Sequence, residues 1–215
     1  MRVFKLCLLS FMVFFCYVSL IYASDDSEYW SSYKFNLKLN EKLSLKLIEE
    51  FRMKSDMGNF YTYVQYAGLG YKINDYLDTA CLYQLVSSKS NQRWPESHRI
   101  DMDLILHFNL DEFKLSNRSR FERNATKSSW LYRDNIEIKR TIELFHKFFT
   151  PFISNEFFLD LEPDSGFHEN RASVGFSTDF IWGTKLSIYY MARGKKAHGN
   201  WNNSNILGTT IDFSF

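Results

Sequence analysis

The sequence predicts an all-β protein, an antiparallel up-and-down transmembrane β-barrel of about 10–12 strands. Three observations predict it. Apolar and polar residues alternate with period 2 through nearly the whole chain after its N-terminus. Tight connections take turns with longer polar ones between the alternating segments. The chain then closes on an alternating strand that ends in Phe215. The composition agrees. Of 215 residues 21 are Phe, 13 Tyr and only 3 Pro, and disordered chains are poor in aromatics.

Other classes fall away on the same figures. A net charge of +1 gives no bulk electrostatic case for nucleic acid. With Gly at 9 and Cys at 3, collagen-like chains and disulfide scaffolds are excluded. Past the N-terminus, no uncharged apolar run approaches the ~20 residues of a spanning helix. The length suits one domain and is short for two.

Residues 1–23 read as a signal peptide. Arg2 and Lys5 form a basic start, Leu6 to Tyr22 is almost wholly apolar, and Ala23 offers a small residue at the cut before Ser24-Asp25-Asp26. An uncleaved anchor is the other reading of so long an apolar run. The bulky Phe15 before Cys16 argues against a lipoprotein. Cleavage leaves one barrel domain over 24–215 and removes Cys7 and Cys16. Cys81 is then a single thiol, unable to form an internal disulfide or a zinc cluster, and reads as a small apolar residue on a strand.

The strands follow in order. Tyr33 to Leu39 alternates, and after Asn40-Glu41 the pattern resumes with Leu43, Leu45 and Leu47 against Lys42, Ser44 and Lys46. Segments near 59–73 and 76–87 come next. Leu104, Leu106 and Phe108 oppose Asp101, Asp103 and His107, and Phe113 and Leu115 oppose Lys114, Ser116, Arg118, Arg120 and Glu122. Ile136 and Ile138 face away from Arg133, Asn135, Glu137 and Lys139. One turn of helix at most fits Leu144 to Phe149. A segment near 149–160 precedes Ala172, Val174, Phe176 and Phe180, which oppose Arg171, Ser173, Ser177 and Asp179. After 184–193, Leu207, Thr209, Ile211, Phe213 and Phe215 share the last apolar face. About eleven segments result, against the even number usual in bacterial single-chain barrels.

The tight connections are Asn40-Glu41, Asn74-Asp75, Leu110-Asp111 and Trp182-Gly183. The longer ones are Ser87 to Glu96, Arg123 to Ser129, Leu161 to His168 and Gly194 to Asn203. Outer-membrane barrels carry short periplasmic turns and longer external loops, so the tight set is expected in the periplasm and the protein in a bacterial outer membrane. A charge on the lipid face costs about 2–4 kcal/mol at the midplane. The charged face is therefore expected in the lumen: Glu50, Arg52, Arg99, Asp101, Arg118, Arg120, Glu122, Arg133, Glu137, Glu156 and Arg171. Opposite signs sit together, which predicts a paired network that plugs a small barrel. Trp30, Trp94, Trp130, Trp182 and Trp201 lie near strand ends and are expected in interfacial girdles.

The last strand, with Gly208, Ile211, Phe213 and Phe215, resembles the C-terminal signal that outer-membrane barrels present to their insertion machinery. The expected partners are that machinery, outer-membrane lipid and lipopolysaccharide, with no nucleic acid and a monomeric state. Several stretches together also resemble domain-of-unknown-function family 2490, bacterial exported proteins read as outer-membrane barrels. They are Glu50-Phe-Arg52, Gly68-Leu-Gly-Tyr71, Ser97-His-Arg99, Arg118-Ser-Arg-Phe-Glu-Arg123, Ser154-Asn-Glu-Phe-Phe158 and Glu169-Asn-Arg171 with Gly175. The resemblance spans essentially the whole mature chain. It implies a barrel and carries no activity, so no catalytic residue is transferred.

Chemistry has few candidates. His98, His107, His146, His168 and His198 invite an alternative, an outer-membrane lipid hydrolase, but a hydrolase needs its base within reach of a nucleophile and oriented by a third group. Asp101 and Asp103 beside Arg99 suit ion pairing better than acid–base work or calcium. Asp160, Glu162 and Asp164 form an acidic loop, and Gly194 to His198 a basic one that could touch lipopolysaccharide phosphates. No phosphate-binding glycine loop, zinc spacing or dinucleotide fingerprint is present, so no cofactor, metal or catalytic residue is expected. A soluble exported β-sandwich or lipocalin-like barrel would also alternate, with its apolar face inside.

Overall fold

Strand periodicity translates directly into a closed wall. A computed structural model describes residues 26–144, 147–162, 166–180, 183–197 and 199–215. The strands are β1 (Asp26–Lys38), β2 (Leu43–Lys54), β3 (Asn59–Lys72), β4 (Leu77–Ser88), β5 (Glu96–Leu110), β6 (Phe113–Asn124), β7 (Ser129–Arg140), β8 (Ile142–Leu144), β9 (Lys147–Asp160), β10 (Phe167–Asp179), β11 (Thr184–Ala197) and β12 (Asn200–Ser214). Each pairs with its sequence neighbour in antiparallel fashion, except that the short β8 continues the line of β7 along β9. The wall therefore has eleven strands, the odd number that the sequence segments gave. Leu144 and Lys147 pair across a hairpin where the sequence allowed a turn of helix. The proposed signal peptide and its cleavage site lie outside the described residues.

An odd wall cannot close antiparallel. β1 pairs with β12 in parallel, from Asp26 against Ser204 to Asn36 against Ser214. Asp26 and Phe215 thus lie at opposite ends of the barrel. The upper end holds Asp26, the connections 55–58, 89–95 and 125–128, and residues 161–162, 166 and 199. The lower end holds 39–42, 73–76 and 111–112, with Phe180 and Gly183. The two ends differ less than the sequence suggested. Asn124 and Ala197 are still strand, and Gly194 pairs with Asn203 inside the β11–β12 hairpin, so the longest upper connection is 89–95.

The alternation sorts side chains to two faces, because successive residues point to opposite sides of a sheet. Leu104, Met102, Ile136, Ile153, Phe35 and Leu207 are exposed on the outside, while Asp101, Asp103, Arg120, Glu122 and Glu156 are buried inside. Leu104 is 45% exposed and Asp101 0%. Apolar side chains are inside as well: Val64, Tyr66, Ala80 and Leu82 cluster between β3 and β4, and Trp30, Met191 and Ile206 between β1, β11 and β12.

Aromatic rings band the outer rims. Phe60 with Trp94 and Phe167 with Trp201 pair at the upper end, at 5.2 and 5.4 Å between centroids. Trp130 lies there under Arg123, and Tyr76, Phe113, Phe148 and Phe180 are exposed at the lower end. Trp182 lies outside the described residues. Trp30 departs from the expected girdle. It shares the phase of Ser32, points inward and is 3% exposed.

Candidate functional site: a charged septum between two cavities

On β5, β6, β7, β9 and β10, period 2 turns charged residues inward, where most of them are buried. The predicted residues Arg99, Asp101, Arg118, Arg120, Glu122, Arg133, Glu156 and Arg171 meet there. Arg120 grips Asp103 with Nε and Nη2, at 2.6 and 2.7 Å, and reaches Asp101 with Nη1 at 2.7 Å. Glu122 accepts from Arg99 Nη1 at 2.5 Å, and its other oxygen lies 3.5 Å from Arg133. Glu156 collects Arg118 at 2.7 Å and Arg133 at 2.9 Å, with Arg171 at 3.7 Å. Arg171 also holds Glu169 at 2.6 Å.

Trp30 joins this network to the far wall. The guanidinium groups of Arg52, Arg171 and Arg193 stand 3.9, 5.0 and 5.5 Å from its ring. Arg52 is paired to Glu50. Glu28 accepts from Trp30 Nε1 at 2.8 Å, Tyr61 at 2.7 Å and Arg193 Nη2 at 2.7 Å. A register shift beside Arg52 admits an extra residue into β3, which lets Tyr61 and Thr62 both face inward. Arg171 and Arg133 also lie over Phe158, at 4.4 and 4.6 Å.

Seven arginines (52, 99, 118, 120, 133, 171, 193) thus face seven carboxylates (28, 50, 101, 103, 122, 156, 169). The septum has no formal surplus. Its cations are all arginine, whose planar fork binds carboxylate and stacks on rings at once. Glu137 stands apart, paired with Lys139 at 2.8 Å toward the lower end.

Two cavities lie on either side. The upper one is about 900 Å³ and the lower about 510 Å³, and Tyr66, Arg133 and Arg171 line both. Lysines are kept for these cavities: Lys54, Lys127 and Lys195 above, Lys34, Lys114, Lys139 and Lys185 below.

The three described histidines lie apart, each beside a carboxylate or a phenol. His107 Nε2 lies 3.0 Å from Asp78 at the lower end, and Ser116 is its cross-strand partner in register. No hydroxyl bonds to His107 among the described residues. His98 Nδ1 meets the Tyr83 hydroxyl at 2.5 Å on the outer face, and His168 lies 3.4 Å from Asp160. His146, His198 and Asp164 lie outside the described residues. Glu162 accepts the Trp130 backbone N–H at 3.0 Å.

The C-terminal residues are engaged at the seam. Phe213 stacks on Phe35 at 4.7 Å, Ile211 pairs with Tyr33, and Phe215 exchanges backbone bonds with Asn36 and Lys38. Gly208 faces inward, where a Cβ would run into the Tyr189 ring. Gly175 offers the same clearance on the other side, its missing Cβ lying 2.6 Å from Tyr189 Cβ.

A family model described as "Protein of unknown function (DUF2490)" matches residues 27–205. The chain belongs to this family. No curated protein matches it. Among solved structures it is similar to the β domain of the Bordetella autotransporter BrkA, with 13% identity and a TM-score of 0.43 over 78% of this chain and 82% of that one.

In this DUF2490 barrel, sequence reading gave Asp103 as an ion-pairing residue beside Asp101 but missed Glu28, Glu169 and Arg193 as members of the network. The signal was present. Each is in phase with an inward residue two positions away: Trp30, Arg171 and Met191. It also paired Arg99 with Asp101 and Arg133 with Glu137, neighbours along one strand. Glu50 with Arg52 and Glu169 with Arg171 do pair along one strand, but Arg99 and Arg133 find their carboxylates on neighbouring strands, because register and strand tilt set which heads meet.

Proposed function

We propose that this protein is a non-catalytic outer-membrane β-barrel whose lumen is closed by its own ion pairs, serving a structural, binding or restricted-transport role. One observation carries the reading: the barrel is apolar outside and charged inside, the reverse of a soluble barrel. Apolar strand faces with aromatic rims suit a bilayer, in which a closed barrel leaves no backbone edge unpaired. The lower end, with its tighter turns, is the periplasmic one. The septum argues against an open pore, since buried ion-paired side chains lie between the two cavities and Tyr66, Arg133 and Arg171 line both. The hydrolase alternative lacks a histidine ring bonded to a serine or threonine hydroxyl among the described residues.

Planar-bilayer conductance tests the closed lumen. The expected result is steps far below those of an open porin. Truncating Arg133 and Glu156 together to alanine is expected to raise them. Wild-type conductance comparable to an open porin contradicts the plugged reading.

A further inference from the structure

Beyond the septum, the upper cavity is lined by three lysines, Lys54, Lys127 and Lys195, against two carboxylates, Asp26 and Asp160, so cation is in excess. Lys54 and Lys127 make no ion pair among the described residues, and Lys195 stands 3.7 Å from Glu169, which Arg171 already holds closely. These lysines come from β2, the β6–β7 turn and β11, and so approach the cavity from separate sectors of the wall. The volume is in the range of small-molecule sites. Below them the wall carries unsatisfied polar atoms. Gln84 Oε1, Arg99 Nε and Arg193 Nε are buried without a hydrogen-bond partner, and all three residues line this cavity. Gln84 is 3% exposed, donates its amide to Tyr66 at 2.8 Å and sits directly opposite Arg99 in the β4–β5 register. Arg193 faces them from β11.

The atom types define the ligand. Two orphan N–H donors ask for oxygen acceptors, and the surplus lysines ask for negative charge. The orphan amide oxygen asks for a donor; inorganic phosphate offers at most its own P–OH at neutral pH, which its charge draws to the lysines, whereas a sugar offers several hydroxyls away from its charge. We propose that the upper cavity binds a small polyhydroxylated anion, a sugar bearing a phosphate or carboxylate, with Lys54 and Lys127 receiving its charge and Gln84 a hydroxyl. This rests on the closed-lumen barrel reading and names the ligand class of that lumen.

The test is titration calorimetry on the full chain folded in detergent, with its gel mobility checked before and after boiling. The probes are glucose 6-phosphate, glucuronate, glucose and inorganic phosphate. At least one sugar anion is expected to bind at least tenfold more tightly than glucose and than phosphate, and the tighter of the two identifies the anionic group. The double variant Lys54→Gln/Lys127→Gln is expected to weaken that binding at least tenfold while keeping the mobility shift. Gln84→Leu is expected to bring the sugar anion down to the affinity of inorganic phosphate. Equal binding of phosphate and sugar phosphate by the wild type overturns the hydroxyl assignment. A barrel that shifts on boiling yet binds neither sugar anion overturns the inference and leaves the barrel reading standing. A chain that shows no shift overturns both.

Discussion

Glu156 shows how single residues hold the septum. It sits among three guanidinium groups and is 6% exposed. Glu156→Gln is expected to cost about 3–5 kcal/mol, the usual effect of stranding buried charge, read as the urea midpoint of the detergent-folded barrel. Glu137→Gln, on a half-exposed pair with Lys139, is expected to cost about 0–1 kcal/mol. Near-equal effects would mean that the septum is solvated. Gly208 carries a different constraint. Gly208→Ala is expected to cost about 1–3 kcal/mol by overpacking against Tyr189, and most of that cost is expected to vanish in a Tyr189→Ala background. At this scale the sequence showed which residues point inward, since period 2 encodes facing. It showed the Glu50–Arg52 pair along one strand but not the pairs between strands. Arg99 has Asp101 two positions away, yet its head meets Glu122 on β6. Trp30 was assigned to a rim from its nearness to a strand end, although its phase with Ser32 and Lys34 already placed it in the lumen.

The seam between β1 and β12 is the element least visible in the sequence. Alternation locates segments, and the eleven it gave are the eleven of the wall. Nothing in alternation distinguishes parallel from antiparallel closure, because facing is the same in both. Likewise the upper connections contracted because Gly194 to Asn203 and Arg123 to Ser129, polar enough for loops, extend hairpins beyond the apolar band. The parallel seam has a direct check. Ser31 and Thr209 are register partners on the outer face, at the strand spacing of about 4.7–4.9 Å that suits a disulfide. With the native cysteines replaced by serine, Ser31→Cys/Thr209→Cys is expected to crosslink under mild oxidation. Ser31→Cys/Phe213→Cys, offset by four residues, is expected not to. The reverse pattern would place β12 in another register or direction.

For the whole molecule, the apolar exterior and the matched charges inside are one consequence of the same two-residue repeat. A chain that buries seven arginines against seven carboxylates gains little stability from them in water. In a bilayer the arrangement lets most charged residues of the wall avoid lipid; Glu49 and Asp134, which share the outer phase, are hydrogen-bonded there by Tyr63 and by Asn117, Ser119 and Tyr132. Leu104→Arg, in the middle of β5 and on the outer face, is therefore expected to destabilise the barrel by about 2–4 kcal/mol in lipid vesicles and to leave it nearly unchanged if that face meets water. The most direct test of the account is heat-modifiable gel mobility of the protein in separated cell fractions. The account predicts that the protein sits in the outer-membrane fraction and migrates differently before and after boiling. Recovery in the soluble periplasmic fraction with no mobility shift would contradict it, and would mean that the apolar strand faces pack inward.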